Sequence, residues 1–229
     1  AVNDAPVLAT VSDVSFDEDG SDSITLSASD VDGDDLSYSI SEGADIIVVQ
    51  DGSSFTFSAP ENFNGSESFI VTVSDGDLSA SQSFSVTVNA VNDAPVLATV
   101  DTVNFDEDLS TSITLDGSDV DLVDALTYSI SAGTNITATI DGAAISFTAA
   151  QDFNGSETFT ATVSDGTLSA SQTFTVTVNA VNDAPALTAI DSVAFDEDGL
   201  TSITLDGSDV DLDALTYSIS AGTNITATI

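Results

Sequence analysis

The chain contains no lysine, arginine or histidine, and no cysteine, methionine or tryptophan. Each absence removes a class of function. Without Lys or Arg there is no basic patch to neutralise phosphates, which excludes nucleic acid and anionic membranes as partners. Without His or Cys there is no imidazole acid–base catalysis, no thiol nucleophile and no imidazole or thiolate metal site. Without Lys neither a Schiff base nor a Lys–Asn isopeptide cross-link can form. No disulfide can staple the fold. No apolar run approaches the roughly 18 residues of a membrane span. No signal peptide or initiator Met opens the chain, and both ends read as cuts within a longer array.

What is present is acid and apolar residues together. The 229 residues include 39 Asp and Glu, for a formal net charge of −39, yet 41% are hydrophobic. A disordered acidic tail would hold far less Val, Ile and Phe. No carboxylate can pair with a cationic side chain, so solvent ions or bound metal must offset the self-repulsion. An oxygen-only ligand set favours hard cations, Ca²⁺ before Mg²⁺.

Internal repetition dominates the sequence. VNDAP occurs at Val2–Pro6, Val91–Pro95 and Val181–Pro185, first 89 and then 90 residues apart. FDED recurs at Phe16–Asp19, Phe105–Asp108 and Phe195–Asp198, and SDVD at Ser29–Asp32, Ser118–Asp121 and Ser208–Asp211. The spacing defines repeats at 1–90 and 91–180 and a partial third at 181–229. The third copy stops at Ile229, the counterpart of Ile140, so it lacks the last strands of its unit and should be poorly stable alone.

Each unit reads as all-β. Phe69, Val71 and Val73 alternate with Ile70, Thr72 and Ser74, and Phe84, Val86 and Val88 alternate with Ser85 and Thr87. Period-two alternation with Ser and Thr outside marks half-buried strands. Further strands are expected at Ser23–Leu26, Leu36–Ile40, Ile46–Val49 and Ser54–Phe57, with Val7–Val11 opening the unit. Turn signals at Gly20, Asp51-Gly52, Asn64-Gly65 and Asp75-Gly76 separate them. Seven short strands in about 90 residues predict a Greek-key β-sandwich.

The acids recur at fixed places. FDED is expected between the first and second strands, DVD between the second and third, and SDG between the last two. Counting strands up and down puts FDED at the far end of a sandwich, and DVD and SDG at the near end beside the incoming linker. At each junction, FDED of one unit can then meet the linker's Asn-Asp and the next unit's DVD and SDG. Ca²⁺ takes six to eight oxygens, and such a junction offers that many. General halophile-like surface charge would explain the total but not the recurrence. The loop DVDGDD is not an EF-hand, since Asp35 and Ser41 stand where Gly and Glu are required.

AVNDAPVL after a VTV strand, ASDVDGDDLSYSI and VSDGDLSASQSFSVTVNAVNDAP together resemble the cadherin-like tandem repeats, VCBS-type and related, of large bacterial surface or secreted proteins. The resemblance spans the whole chain. It implies a linear array of Ig-like or cadherin-like sandwiches with calcium between successive units. Asn92-Asp93-Ala94-Pro95 is similar to the cadherin linker, Asp119 and Asp121 to its DxD, and Glu18 to its early Glu. Carried over, the first junction would use Glu18, Asn92, Asp93, Asp119, Asp121 and Asp165, and the second Glu107, Asn182, Asp183, Asp209 and Asp211. Asn3, Asp4, Asp30, Asp32 and Asp75 would serve a junction with a preceding unit. Asp17 and Asp19 rival Glu18. The LDRE motif of cadherins is absent, and only Glu61 or Asp152 stands near its place, which points to one or two ions per junction rather than three.

The function so implied is a calcium-stiffened structural spacer of an extracellular or cell-surface bacterial adhesin, whose partners are its own neighbouring repeats. The alternative is an adhesion module for like modules or surface glycans. Absent Trp, and Phe at inward strand positions, weigh against glycan stacking. Paired carboxylates could serve a glycosidase, but acids repeating once per unit do not resemble a catalytic site, and the chain is read as no enzyme.

Overall fold

A computed structural model describes residues 2–121 and 125–229. Contacts divide the chain into two compact units, split in the linker between Asp93 and Ala94, with Val120 and Asp121 grouped with the first unit.

The first unit contains nine strands: β1 (Val7–Leu8), β2 (Val14–Asp17), β3 (Ser21–Thr25), β4 (Ala28–Ser29), β5 (Ser37–Ile40), β6 (Ile47–Asp51), β7 (Ser54–Ser58), β8 (Gly65–Ser74) and β9 (Ser79–Asn89). A four-stranded sheet in the order β2-β9-β8-β5 and a three-stranded sheet β3-β7-β6 form the sandwich, and β1 and β4 make a short separate pair. Only β2 runs parallel to its neighbour, β9. The second unit repeats this with β10 (Val96–Leu97), β11 (Val103–Asp106), β12 (Ser110–Thr114), β13 (Gly117–Ser118), β14 (Thr127–Ile130), β15 (Ile136–Asp141), β16 (Ala144–Ala149), β17 (Gly155–Ser164) and β18 (Ser169–Asn179). Its sheets are β11-β18-β17-β14 and β12-β16-β15. The fold is all-β, in tandem Ig-like sandwiches.

The alternating residues build both cores. Phe55, Phe57, Phe69, Val71 and Val86 are fully buried in the first, and Ile145, Phe147, Phe159, Ala161 and Val176 in the second. In each, three rings meet: Phe57 stands edge-on to Phe69 at 5.6 Å between centroids, and Phe147 edge-on to Phe159 at 5.4 Å, with Phe84 and Phe174 completing the clusters.

Two strands, β2 and β4, stand where none is expected, and the opening strand is shorter. The opening strand expected at Val7–Val11 shrinks to Val7–Leu8, and the edge of the four-stranded sheet is instead Val14–Asp17. Val14 and Phe16 point inward and pair beside Val86 and Val88. The first two residues of FDED therefore end a strand, and only Glu18 and Asp19 form the turn.

Residues 181–229 contain the short pair β19 (Ala186–Leu187) and β20 (Gly207–Ser208) and no other strand. This pair matches β10 and β13. In the second unit, Val103–Asp106 are held as a strand by pairing with β18. Residues 181–229 contain no counterpart of β18, so Val193 and Phe195 stay exposed.

Candidate metal centres

Burial and charge meet at the FDED turns. Glu18 and Glu107 are the only buried charged residues among those described, at 7% and 4% exposure. Each carboxylate accepts the backbone N–H of the outgoing linker, from Val91 and Val181 respectively. The sheet fixes this geometry, because the N–H of each Glu donates to the last residue of the neighbouring long strand, Asn89 or Asn179. Asp17, one of the two rivals of Glu18, points along the outer sheet face instead and accepts from Asn89. Asp19, the other, takes a left-handed backbone (φ 59°) and accepts from Asn62 N–H at 3.1 Å.

The linker aspartates dock on the DVD loops in the same way three times. The N–H of Asp4 donates to Asp32 at 2.9 Å, that of Asp93 to Asp121 at 2.7 Å and that of Asp183 to Asp211 at 2.6 Å. Within the loops, Asp32 N–H donates to Asp30 and Asp211 N–H to Asp209. Asn3 donates to Asp75 of the SDG loop at 3.0 Å, so Asn3, Asp4, Asp30, Asp32 and Asp75 gather at one end of the first unit. Asp75 also accepts from Leu78 and Asp77 N–H, and these bonds hold its carboxyl below the usual range. Asp165 accepts the equivalent pair from Leu168 and Thr167. Asn92 and Asn182 turn their side-chain amides onto the following Asp carbonyl, the first at 2.9 Å. Asp119, in the DVD loop of the second repeat, is half-buried.

Among the described residues, three groups of carboxylates come close enough to share a cation. Oxygens of Glu107, Asp183 and Asp211 lie within 4.8 Å of one another, as do those of Asp108, Asp152 and Asp183, and those of Asp30, Asp32 and Asp34. Asp183 belongs to two of them. Its Oδ2 is buried and has no hydrogen-bond partner, as is Oδ2 of Asp30. Burial, then Asp152, Asp211, Asp108 and Glu107, raise the Asp183 carboxyl above its ordinary 3.8. Asp34 is raised likewise by burial and by Asp30, Asp32, Asp75 and Asp35. The donors are all hard oxygens without a counter-charge, which fits a divalent hard cation.

Asp108, Asp152 and Asp34 lie outside the ligand set that the sequence implies, although Asp152 stands near the place of the missing LDRE. Asp108 and Asp152 share the left-handed backbone (φ 61° and 55°), and Asp152 N–H donates to Asp108 at 3.4 Å. In the first repeat Asp19 and Asn62 take their places.

The family model described as a bacterial Ig domain matches residues 3–89 and again 92–179. The chain belongs to the bacterial Ig domain family. No curated protein matches it. Among solved structures, these bacterial Ig repeats are similar to domains EC1-4 of Drosophila N-cadherin, at 17% identity and TM-score 0.52, over 77% of this chain and 50% of that one. They are also similar to human protocadherin-24 EC1-2, at 16% identity and TM-score 0.50, over 76% of this chain and 98% of that one. An endo-fucoidan hydrolase of glycoside hydrolase family 107 matches at 23% identity and TM-score 0.35, over 77% of this chain and 29% of the hydrolase. The cadherin likenesses establish a shared fold. The chain spans under a third of the hydrolase. No helix among the described residues is long and apolar enough to cross a membrane.

Proposed function

We propose that these bacterial Ig repeats are calcium-stiffened spacers of a surface or secreted bacterial adhesin, without enzymatic activity, and that the linker aspartates help hold the ions. The observation that carries the reading is Asp183: one carboxylate in two acid groups, with a buried oxygen that nothing among the described residues satisfies. Glu107, Asp183 and Asp211 would hold one ion, and Asp108, Asp152 and Asp183 could hold a second. A bound Ca²⁺ supplies the positive charge that the chain lacks. Asp183 and Asp211 then tie the linker to the DVD loop, and Glu107 ties it to the FDED turn.

The distribution of acid supports this reading over general surface charge. No carboxylate faces outward from β8, β9, β17 or β18; the outward positions there are Ser and Thr, with Ile70 and the terminal Asn89 and Asn179. A surface adapted only to high salt has no reason to spare its sheet faces and concentrate Asp in loops. In the cation-free state, carboxylate repulsion loosens these contacts; the bound cation favours the folded, docked form by mass action.

Calcium titration of the whole chain tests it, following melting temperature and small-angle scattering together. The expected result is a rise in melting temperature and a longer, stiffer particle at millimolar calcium. Equal stabilisation by NaCl alone, with no change of shape, would sink the proposal.

A further inference from the structure

The segregation of charge leaves each sandwich with a broad uncharged face. In the second repeat, Thr158, Thr160 and Thr162 on β17 stand outward beside Thr177, Thr175 and Thr173 on β18. Thr158 is directly opposite Thr175, and Thr160 opposite Thr173. Asp106, at the end of edge strand β11, is the one carboxylate that faces outward from this sheet, and Asn179 bonds it. The first repeat has the same face, with Ser66, Ser68, Ser83 and Thr87 around an outward Ile70 that is 53% exposed.

We infer that this four-stranded face is where a second copy of the chain docks. Such a face is self-complementary. A two-fold interface brings the same patch against itself. Carboxylate surface can never satisfy that, because it carries acceptors and like charge only. A hydroxyl both donates and accepts, so a Ser/Thr lattice can bond to its own image. Cross-strand pairs such as Thr162–Ser171 and Ser156–Thr177, at 2.8 and 2.9 Å, engage each hydroxyl once and leave it further bonding capacity. The methyls of Thr and the side chain of Ile70 add apolar contact. In a chain of charge −39, such faces are also where a second copy can approach with little like-charge repulsion.

The area sets the strength. The strands of one face hold 10, 11, 4 and 4 residues, which at strand spacing and rise cover roughly 500 Å². A stable complex buries about 800 Å² per partner, so a single face gives a weak contact. Repulsion between the acidic ends opposes docking, so association strengthens as salt rises, opposite to an interface held by ion pairs.

Sedimentation of the whole chain tests this from about 10 μM to about 1 mM, in EDTA so that calcium plays no part, at low and high NaCl. The expected result is a monomer–dimer equilibrium that tightens with salt. Thr173→Asp with Ser83→Asp should weaken it by about tenfold or more, because each docks a carboxylate without a partner. Ser146→Asp, outward on the opposite sheet, should leave it unchanged, with melting curves showing all variants folded. A monomer at every concentration overturns the inference, as does equal weakening by Ser146→Asp. So does retention of a monomeric chain on a neutral dextran matrix, which would assign the face to glycan.

Discussion

Asp183 reaches Asp211 twice, through its backbone N–H at 2.6 Å and through carboxylate oxygens that lie within 4.8 Å of each other. The first contact is made without any cation. The second is repulsive until one arrives. The same backbone bond joins Asp4 to Asp32 and Asp93 to Asp121, so the chain positions the acids before the ion binds.

Asp183→Asn should therefore keep the docked backbone but lose the shared charge. Calcium affinity depends on ligand charge count, and a loss of about tenfold or more at this site is expected. Calorimetric titration checks it. The variant should bind fewer ions than the parent chain at the same calcium concentration, with both groups that share Asp183 affected. Unchanged stoichiometry and affinity would remove Asp183 from the ligand set.

The pH dependence of the same site follows from sign. The folded carboxyl of Asp183 is raised above 3.8, so without a cation its contribution is most favourable below that value and fades as pH rises through the raised value. Calcium binds the ionised form and reverses this order. Calcium titrations at neutral pH and near the ordinary carboxylate range should show affinity falling with acid. Equal affinity at both would contradict a carboxylate ligand set.

Much of the fold is legible in the sequence because its signal is local. Phe69, Val71 and Val73 alternate, and alternation is what a half-buried strand requires. Val14 and Phe16 alternate too, but the acidic run that follows reads as loop, so β2 is missed although it carries the sheet edge. The site divides along the same line. Asp183 and Asp211 sit in repeated motifs, whereas Asp108 and Asp152 are brought together by two left-handed residues from turns 44 positions apart, which no spacing rule announces. Glu157 was invisible for another reason: within GSETFTATVS it looks like one more strand residue.

Glu157 nevertheless anchors a loop. Burial opposes its ionisation, but N–H bonds from Asn135, Thr134 and Ile136 outweigh this and hold the carboxyl below 4.5. Glu67 does the same for Asp45, Ala44 and Ile46. A depressed carboxyl stabilises the fold above its unfolded value, and that contribution is lost as pH falls through the folded value, here below 4.5. Glu157→Ala should cost about 1–2 kcal/mol at neutral pH and flatten the acid limb of the stability profile. Denaturant melts across pH check both effects.

Gly133 lies under that anchor, and its replacement separates space from backbone strain. A Cβ there would stand 2.2 Å from the Ile136 carbonyl oxygen, 2.5 Å from Glu157 Oε2 and 2.7 Å from the Phe159 ring. The carbonyl is backbone and the ring is packed in the core, so neither can step aside. Gly142 has a left-handed backbone (φ 58°) but nothing within 4 Å of a Cβ. Gly142→Ala should thus cost only the conformational penalty, about 1–2 kcal/mol. Gly133→Ala should cost more than about 2 kcal/mol and release the Glu157 hydrogen bonds. Paired melting curves of the two variants decide it, and a Gly133→Ala variant as stable as Gly142→Ala would show that the loop can move away from Phe159.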